Sequence, residues 1–464
     1  MRTTARFVID EGTTMEINAG DTAWVLISAA LVFLMTPGLA FFYGGMVRVK
    51  SVLNMMMMSA ITIAVVTILW VVVGYSLTFG GDNGGVIGNF SAVGLKGLLA
   101  PESVTGAEGH AIPSLAFVAF QLMFAIITPA LISGAIADRA TFRGWIVFVA
   151  LWTSLVYFPV AHSVWFFDAD GGGGFIGAGI KALDFAGGTA VHVNAGAAAL
   201  ALAIVLGRRI GWRKDPMRPH SLPLVLLGAG LLWFGWFGFN AGSALSAGST
   251  AAITFVNTQV ATAAAVIGWL IVERIRHGRA TTLGLASGAI AGLVAITPAC
   301  AAVTPIGAIF LGLVAGAICA FAVSLKYKLG FDDSLDVVGV HLVGGLVGSL
   351  GIGFLGSAAA PAAVDGLFYG GGAGQLGKQA LANLIVGVYS FVVAFILAKV
   401  IDLTIGFRLK EDDEVTGIDQ VEHAETAYEF TSGGGGIRSH LGRAVEPKAE
   451  TVADESTDKE EANA

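Results

Sequence analysis

Apolar positions along this chain fall in long unbroken runs instead of the three-and-four spacing of helices that keep one wet face. Eleven runs of about 20 residues follow one another, at approximately 22–43, 55–79, 113–137, 145–167, 186–206, 221–242, 251–272, 281–300, 304–325, 337–356 and 380–405. As helices rising 1.5 Å per residue, each is long enough to cross a hydrocarbon core of about 30 Å. The pattern predicts an all-α polytopic membrane protein with eleven transmembrane helices. The first run follows a polar stretch holding Asp10, Glu11 and Glu16, without the basic-then-apolar pattern of a cleaved leader, so 24–43 reads as a retained helix.

The polar positions between the runs carry the orientation. Connections one, three, five, seven and nine hold 14 Lys and Arg, from Arg48 and Lys50 to Lys326 and Lys328, whereas the N-terminal stretch and the even connections hold 5. Cytoplasmic loops collect Lys and Arg, so an odd number of spans with this bias places the N-terminus outside and the C-terminus in the cytoplasm.

A second order appears when the first ten runs are halved. Run five opens with Asp184-Phe-Ala-Gly-Gly-Thr-Ala-Val-His192, and run ten is entered through Asp333-Ser-Leu-Asp336-Val-Val-Gly-Val-His341. Both place a histidine eight positions after an aspartate. Five is odd, so the halves cross in opposite directions, and equivalent positions meet near the midplane as in inverted-repeat transporters. The fold expected is an inverted five-helix pseudo-repeat, runs 1–5 and 6–10, plus an eleventh helix. Glycines such as Gly284, Gly288 and Gly292 in run eight and Gly344, Gly345 and Gly348 in run ten suit helices that approach closely.

Composition sharpens this reading. Of 464 residues 55% are hydrophobic and 13% charged, half the charge that a soluble domain surface needs, and mean hydropathy is +0.77. The net charge of −7 sits in the tail, where residues 403–464 hold 15 acidic and 6 basic groups. A nucleic-acid-binding protein would carry a basic patch, which this chain lacks. Four segments are expected: an extracellular stretch 1–21, a membrane domain 22–405, an ordered cytoplasmic tail 406–432 and a disordered acidic end 433–464. Cys300 and Cys319 lie in apolar runs and read as buried thiols.

Ionisable groups inside spans are rare and costly, so those present call for a reason. His162, His192 and His341 lie within runs, with Asp184, Asp333 and Asp336 at run ends. A lone membrane histidine such as His162 reads as a hydrogen-bonded packing residue. The symmetric pair His192 and His341 reads instead as a lane for a small molecule that gives and takes hydrogen bonds, or as a proton relay. A bare metal cation would want oxygen ligands, and no third ligand stands at helical spacing from either histidine. Neither a metal nor a cofactor is expected. Trp165 and Ser243 close their runs, and an aromatic face beside a polar oxygen suits a small cation. A membrane enzyme using the two histidines as acid and base would lack a nucleophile pairing.

These residues carry a resemblance. Pro37-Gly-Leu-Ala-Phe-Phe-Tyr-Gly-Gly45, Phe120-Gln-Leu-Met-Phe124, the Asp184 to His192 motif, Gly238-Phe-Asn-Ala-Gly-Ser243, Asp332 to His341 and Gly417-Ile-Asp419-Gln-Val-Glu-His423-Ala-Glu-Thr-Ala-Tyr428 together resemble the ammonium transporter family (Amt/Mep/Rh) over about 400 residues. The resemblance implies a homotrimer in the cell membrane, each protomer with its own pore for ammonium or ammonia. It implies that Trp165, Phe124 and Ser243 recruit ammonium outside, that Phe124 and Phe239 form a gate, and that His192 and His341 line the pore with Trp236. Gln121 beside the gate takes part in moving water or a proton, and Asp184 supports the outer site. The link from Trp165 to Asp184, with its Gly171-Gly-Gly-Gly174 stretch, is longer than this family leads one to expect. Prokaryotic relatives meet a trimeric P-II signal protein, which makes such a partner an expectation here. Two neighbouring readings stay open: an ammonium sensor signalling through the tail, and a neutral gas channel of the Rh type.

Overall fold

The computed structural model describes residues 15–168 and 171–429; the expected disordered end at 433–464, and the first part of the expected extracellular stretch, lie outside them. The chain up to Ala427 packs as one compact unit, and a second unit begins at Tyr428. Among the described residues of the first unit are eleven long apolar helices: α1 Ala19–Met46, α2 Val49–Phe79, α3 Ser114–Ile136, α4 Phe142–Trp165, α5 Gly188–Leu206, α6 Leu222–Gly242, α7 Ser249–His277, α8 Thr282–Ile296, α9 Pro305–Leu329, α10 Val338–Leu355 and α11 Gly374–Thr404. All but α8 are long and apolar enough to span a bilayer. Two short tail helices follow, α12 Glu411–Thr416 and α13 Ile418–His423.

Each helix lies on its expected run, and the bounds differ where polar caps extend an apolar run. Helix α1 begins at Ala19 because the Asn18 side chain accepts the Asp21 amide, and α11 begins at Gly374, six residues before its apolar run. Helix α8 ends early, at Ile296, and the chain continues through buried turns to Val303. Non-helical backbone at that depth needs partners from protein. Asn257 of α7 supplies them, donating from Nδ2 to the carbonyls of Cys300 and Val303 at 2.8 Å each.

The halves repeat one device. In α5 and α10 the histidine lies in a π-helical turn, Gly188–Val193 and Val338–Leu342, and each turn runs into 13 residues of regular helix. Helices α1 and α6, the first of each half, pack along one another, as do α7 and α9. Helix α10 lies so close to α8 that a Cβ at Gly348 would fall on the Ala295 carbonyl oxygen.

Hydrogen bonds sort the connections into two faces. On one, Arg48 and Asp138 pair, Arg209 reaches Asp138 and Asp332, and Glu414 of α12 accepts the Ile210 amide. That face holds connections one, three, five and nine with the tail. On the other, Phe175 bonds Gly85, Asn18 bonds Ala111, and Ser357 bonds Ala302, which joins even connections and the start of α1.

Candidate functional site

Phe124 and Phe239 come from α3 and α6 and lie over each other with ring centroids 4.2 Å apart, tilted by 32°. Both are buried. Trp165, the last residue of α4, sets its edge on Phe124 at 5.8 Å and 85°. Its indole Nε1 donates to the Asp184 carbonyl at 3.0 Å, which ties the ring to the far end of the long link from Trp165 to Asp184. Ser243 stands one turn beyond Phe239 and donates its hydroxyl proton to the Phe239 carbonyl at 2.8 Å. Gln121 is half-buried one turn before Phe124.

Below the two phenyl rings the chain leaves a narrow lane. A first cavity is lined by Phe239, Trp236, His192 and His341 with apolar side chains from α1, α3 and α8; a second shares His341 and continues past Tyr43 and Ser287 to Asp336. His192 and His341 meet between them, their Nδ1 atoms 3.3 Å apart and rings 25° from parallel. His192 also stacks on Trp236 at 5.5 Å. Trp236 is itself fixed, donating from Nε1 to Thr297 Oγ1 at 2.8 Å in the turns that follow α8.

The Nδ1 to Nδ1 contact decides the chemistry of the outward nitrogens. One imidazole must donate and the other accept, so opposite tautomers face each other, one with a bare Nε2 and one with an Nε2–H. His192 Nε2 is buried with no protein partner and opens on the lane. The pair therefore offers a lodging molecule one acceptor and one donor.

Two carboxylates aim these histidines. Asp184 accepts the amides of Gly187 and Gly188 on Oδ1, at 2.9 and 2.6 Å, and those of Thr189 and Ala190 on Oδ2, at 2.8 and 2.9 Å. Burial pushes its carboxyl up, and the four amides oppose that push. Asp333 repeats the motif, accepting the amides of Val337 and Val338 at 3.0 and 2.7 Å, and burial raises its carboxyl to about 6. π-Helical turns frequently mark functional sites, and here each presents its histidine to the lane.

His162 stays apart from the lane. Its Nδ1 faces the Thr78 carbonyl at 2.8 Å, its Nε2 faces Asp82 at 2.9 Å, and its ring stacks on Phe166. The two cysteines are free and buried, and no cluster of three metal-ligating side chains occurs among the described residues.

The sequence reading matched Asp333 to Asp184 by their equal spacing to a histidine but gave a supporting role to Asp184 alone, and the amides that Asp333 accepts assign it the same one. Thr297 was missed because nothing in sequence places it against Trp236. A polar stripe on α11, Gln375, Gln379, Asn383 and Ser390, was readable as i, i+4, i+8 and i+15, starting just before the apolar run and continuing into it.

The profile described as Ammonium Transporter Family matches residues 23–428. The chain belongs to the ammonium transporter family. An ammonium transporter of Mycobacterium tuberculosis (strain ATCC 25618 / H37Rv) is 58% identical over 440 residues, which cover 90% of this chain and 92% of that one. One of Bacillus subtilis (strain 168) is 47% identical, covering 88% of this chain and 98% of its own. Among solved structures, the crystal structure of Saccharomyces cerevisiae Mep2 matches with a TM-score of 0.76 at 33% identity, over 85% of this chain and 88% of that one. A structure titled Sensor Amt Protein matches with a TM-score of 0.78 at 28% identity, over 87% of this chain and 98% of that one.

Proposed function

We propose that this protein carries ammonium across the cell membrane, binding NH4+ outside, removing its proton at the phenylalanine pair and passing NH3 along the histidine lane. The observation that carries the reading is the histidine pair, Nδ1 to Nδ1 at 3.3 Å, directly beneath the paired phenyl rings of Phe124 and Phe239. Family membership supports ammonium as the substrate.

The steps follow from the geometry. Ser243 has spent its proton on the Phe239 carbonyl, so its oxygen presents only lone pairs, which suit the N–H donors of ammonium. The faces of Trp165 and Phe124 add a cation–π attraction of about 0.5–2 kcal/mol. Beyond the phenyl rings the walls are apolar, and a buried unpaired ammonium ion costs far more than those contacts return. Burial can lower the pKa of an amine by about 3–5 units, so shedding the proton is the cheaper way in. NH3 then meets one acceptor and one donor on the histidine pair and leaves past Asp336. His192 and His341, with water in the lane and Gln121 beside the gate, form the route for a proton that follows. Asp184 holds both the Trp165 indole and the turn that carries His192.

The orientation proposed is N-terminus outside and tail in the cytoplasm, since the face that gathers the tail also gathers the basic odd connections. The segments 22–405 and 406–432 serve as transport domain and cytoplasmic regulatory tail. The working unit is a homotrimer, and the tail face is where a P-II signal protein docks. No catalytic group is assigned.

An ammonium jump on proteoliposomes holding the purified protein tests the reading, with sodium and potassium jumps as controls. A transient current for ammonium alone is expected, lost when both His192 and His341 are changed to alanine. Full ammonium-selective current in that double variant would refute the histidine lane. Alkalinisation of the lumen without current would place the protein with neutral gas channels, and absence of any flux would favour a sensor.

A further inference from the structure

The lane needs two histidines held at hydrogen-bond distance, yet they come from different halves of the molecule. Glycines let α5 and α10 pack closely, Gly345 on Gly188 and Gly196 on Leu342. Helix α11, which belongs to neither half, adds polar bonds to both through side chains that the transport reading leaves unused. Thr189 lies in the π-helical turn one residue after Gly188 and three before His192. Its hydroxyl donates to Asn383 Oδ1 of α11 at 2.9 Å, and Asn383 Nδ2 donates to Ser349 Oγ of α10 at 2.9 Å. One amide thus spans from the His192 turn to the His341 helix. A turn earlier Gln379 repeats the span: its Oε1 accepts the Leu183 amide at 2.6 Å, and its Nε2 donates to the Leu183 carbonyl at 2.7 Å and to Ser349 Oγ at 2.9 Å. Thr189, Ser349, Gln379 and Asn383 are all buried. The backbones are already close there, since a Cβ at Gly345 would lie 3.0 Å from the Gly188 carbonyl oxygen and 3.1 Å from His192 Cβ.

We propose that Asn383 and Gln379 of α11 are positioning residues that brace the two half-repeats and set the distance between the histidines of the lane. The proposal rests on the transport reading. A buried amide that bonds both neighbours fixes register as well as distance, because any slide of α10 past α5 leaves a donor or acceptor unpaired. Ordinary apolar contacts tolerate such a slide. An eleventh helix carrying a polar stripe toward the core, in a run whose other buried positions include Ala382, Val386, Ala394 and Ala398, is the arrangement that a brace requires.

The test separates positioning from packing through two changes at one site. Thr189→Val keeps the shape and removes the hydroxyl, whereas Thr189→Ser keeps the hydroxyl and removes a methyl group. A packing role makes serine the worse variant; a positioning role makes valine the worse. Expected in proteoliposomes is a maximal ammonium current about ten-fold lower for Thr189→Val, since misplacement by less than an ångström is felt at that level. Half-saturation should stay unchanged within about two-fold, because recruitment at Trp165 and Ser243 is untouched. Thr189→Ser should recover most of the current, and Asn383→Leu, which keeps the branching of the asparagine side chain without its polar atoms, should match Thr189→Val. Should Asn383→Leu fail to fold, the Thr189 pair decides alone. Full current at normal half-saturation in Thr189→Val would overturn the brace, as would a serine variant worse than the valine one. The double histidine variant run beside them keeps the readings apart: its loss of current with full current in Thr189→Val refutes the brace and leaves the lane standing, and its full current refutes the lane.

Discussion

A single residue in this protein acts by what it has left over after its structural bonds are made. Ser243 keeps lone pairs because its proton is committed, and His192 keeps Nε2 because Nδ1 faces its partner. Trp165 keeps its ring face because Nε1 is tied to the Asp184 carbonyl. Replacing Trp165 by leucine removes that face and preserves an apolar plug. The expected result is a half-saturating ammonium concentration raised about 2–30-fold with a maximal current little changed, the split that a lost cation–π contact of 0.5–2 kcal/mol gives; concentration-jump currents measure both. Asp333 gives a residue-scale statement about pH. Burial raises its carboxyl from the ordinary 3.8 to about 6, so the folded protein favours the protonated form. The stability it contributes is complete below pH 3.8 and is lost as pH rises through about 6, an effect of about 3 kcal/mol for a shift of that size. Asparagine cannot ionise. The melting temperature of Asp333→Asn relative to the native protein should therefore climb between about pH 4 and pH 7, and a difference that stays flat or falls would remove Asp333 as the titrating group.

At the scale of elements, the molecule divides into what hydrophobic pattern dictates and what tertiary contacts impose. All eleven helices lie on apolar runs that the sequence displays, because lipid demands uninterrupted apolar helix and leaves few alternatives. The pairing of His192 with His341 was also legible, through the shared aspartate eight residues before each. Missing were the π-helical turns themselves, since i to i+5 bonding has no periodicity distinct from that of a helix over six residues. The early end of α8 was hidden as well: residues 297–303 are as apolar as a span, and only Asn257 reaching across from α7 lets their backbone leave the helix. The same logic identifies the most fragile element. Asp184 alone caps four consecutive amides before and within the first turn of α5. Asp184→Ala leaves those donors buried without partners, at about 1–3 kcal/mol for each one that no water reaches. The variant is expected to yield little folded protein, and Asp184→Asn, which retains one acceptor oxygen, to yield an intermediate amount with a reduced melting temperature; fluorescence-detected size exclusion separates the three cases.

Across the whole molecule, the tail face is organised by carboxylates that serve backbone amides outside their own helices. Asp419 accepts the amides of Leu53 and Asn54 in the first turns of α2, at 3.0 and 2.8 Å, Glu422 accepts that of Phe142 at the start of α4, and Glu414 accepts that of Ile210. Helix N-termini carry unsatisfied amides and a partial positive charge, so an acidic segment laid across two of them, those of α2 and α4, is held by both. Glu414 also ends a chain of alternating charge. It pairs with Arg408 at 2.8 Å and Arg48 at 3.9 Å; Arg48 pairs with Asp138, which shares Arg209 with Asp332, the residue before the cap of the His341 turn. Burial works against ionisation of Asp138 and Asp332, yet the guanidinium groups around them hold both carboxyls below the usual range. Both therefore stabilise the fold above the ordinary carboxylate range, and that contribution fades as pH falls below it. The acidic tail is thus part of the folded transporter as far as α13, and its removal should be felt at the lane. Asp419→Ala, by stripping two caps, is expected to cost about 1–2 kcal/mol and to lower the melting temperature by a few degrees. Truncation before Glu411 exposes all four amides and leaves Arg48 and Arg408 without Glu414, so it should depress both melting temperature and ammonium current. Truncation at Gly436 removes none of these contacts and should change neither. Equal effects of the two truncations would mean that the tail helices are spectators, and that the charge chain ends at Arg48.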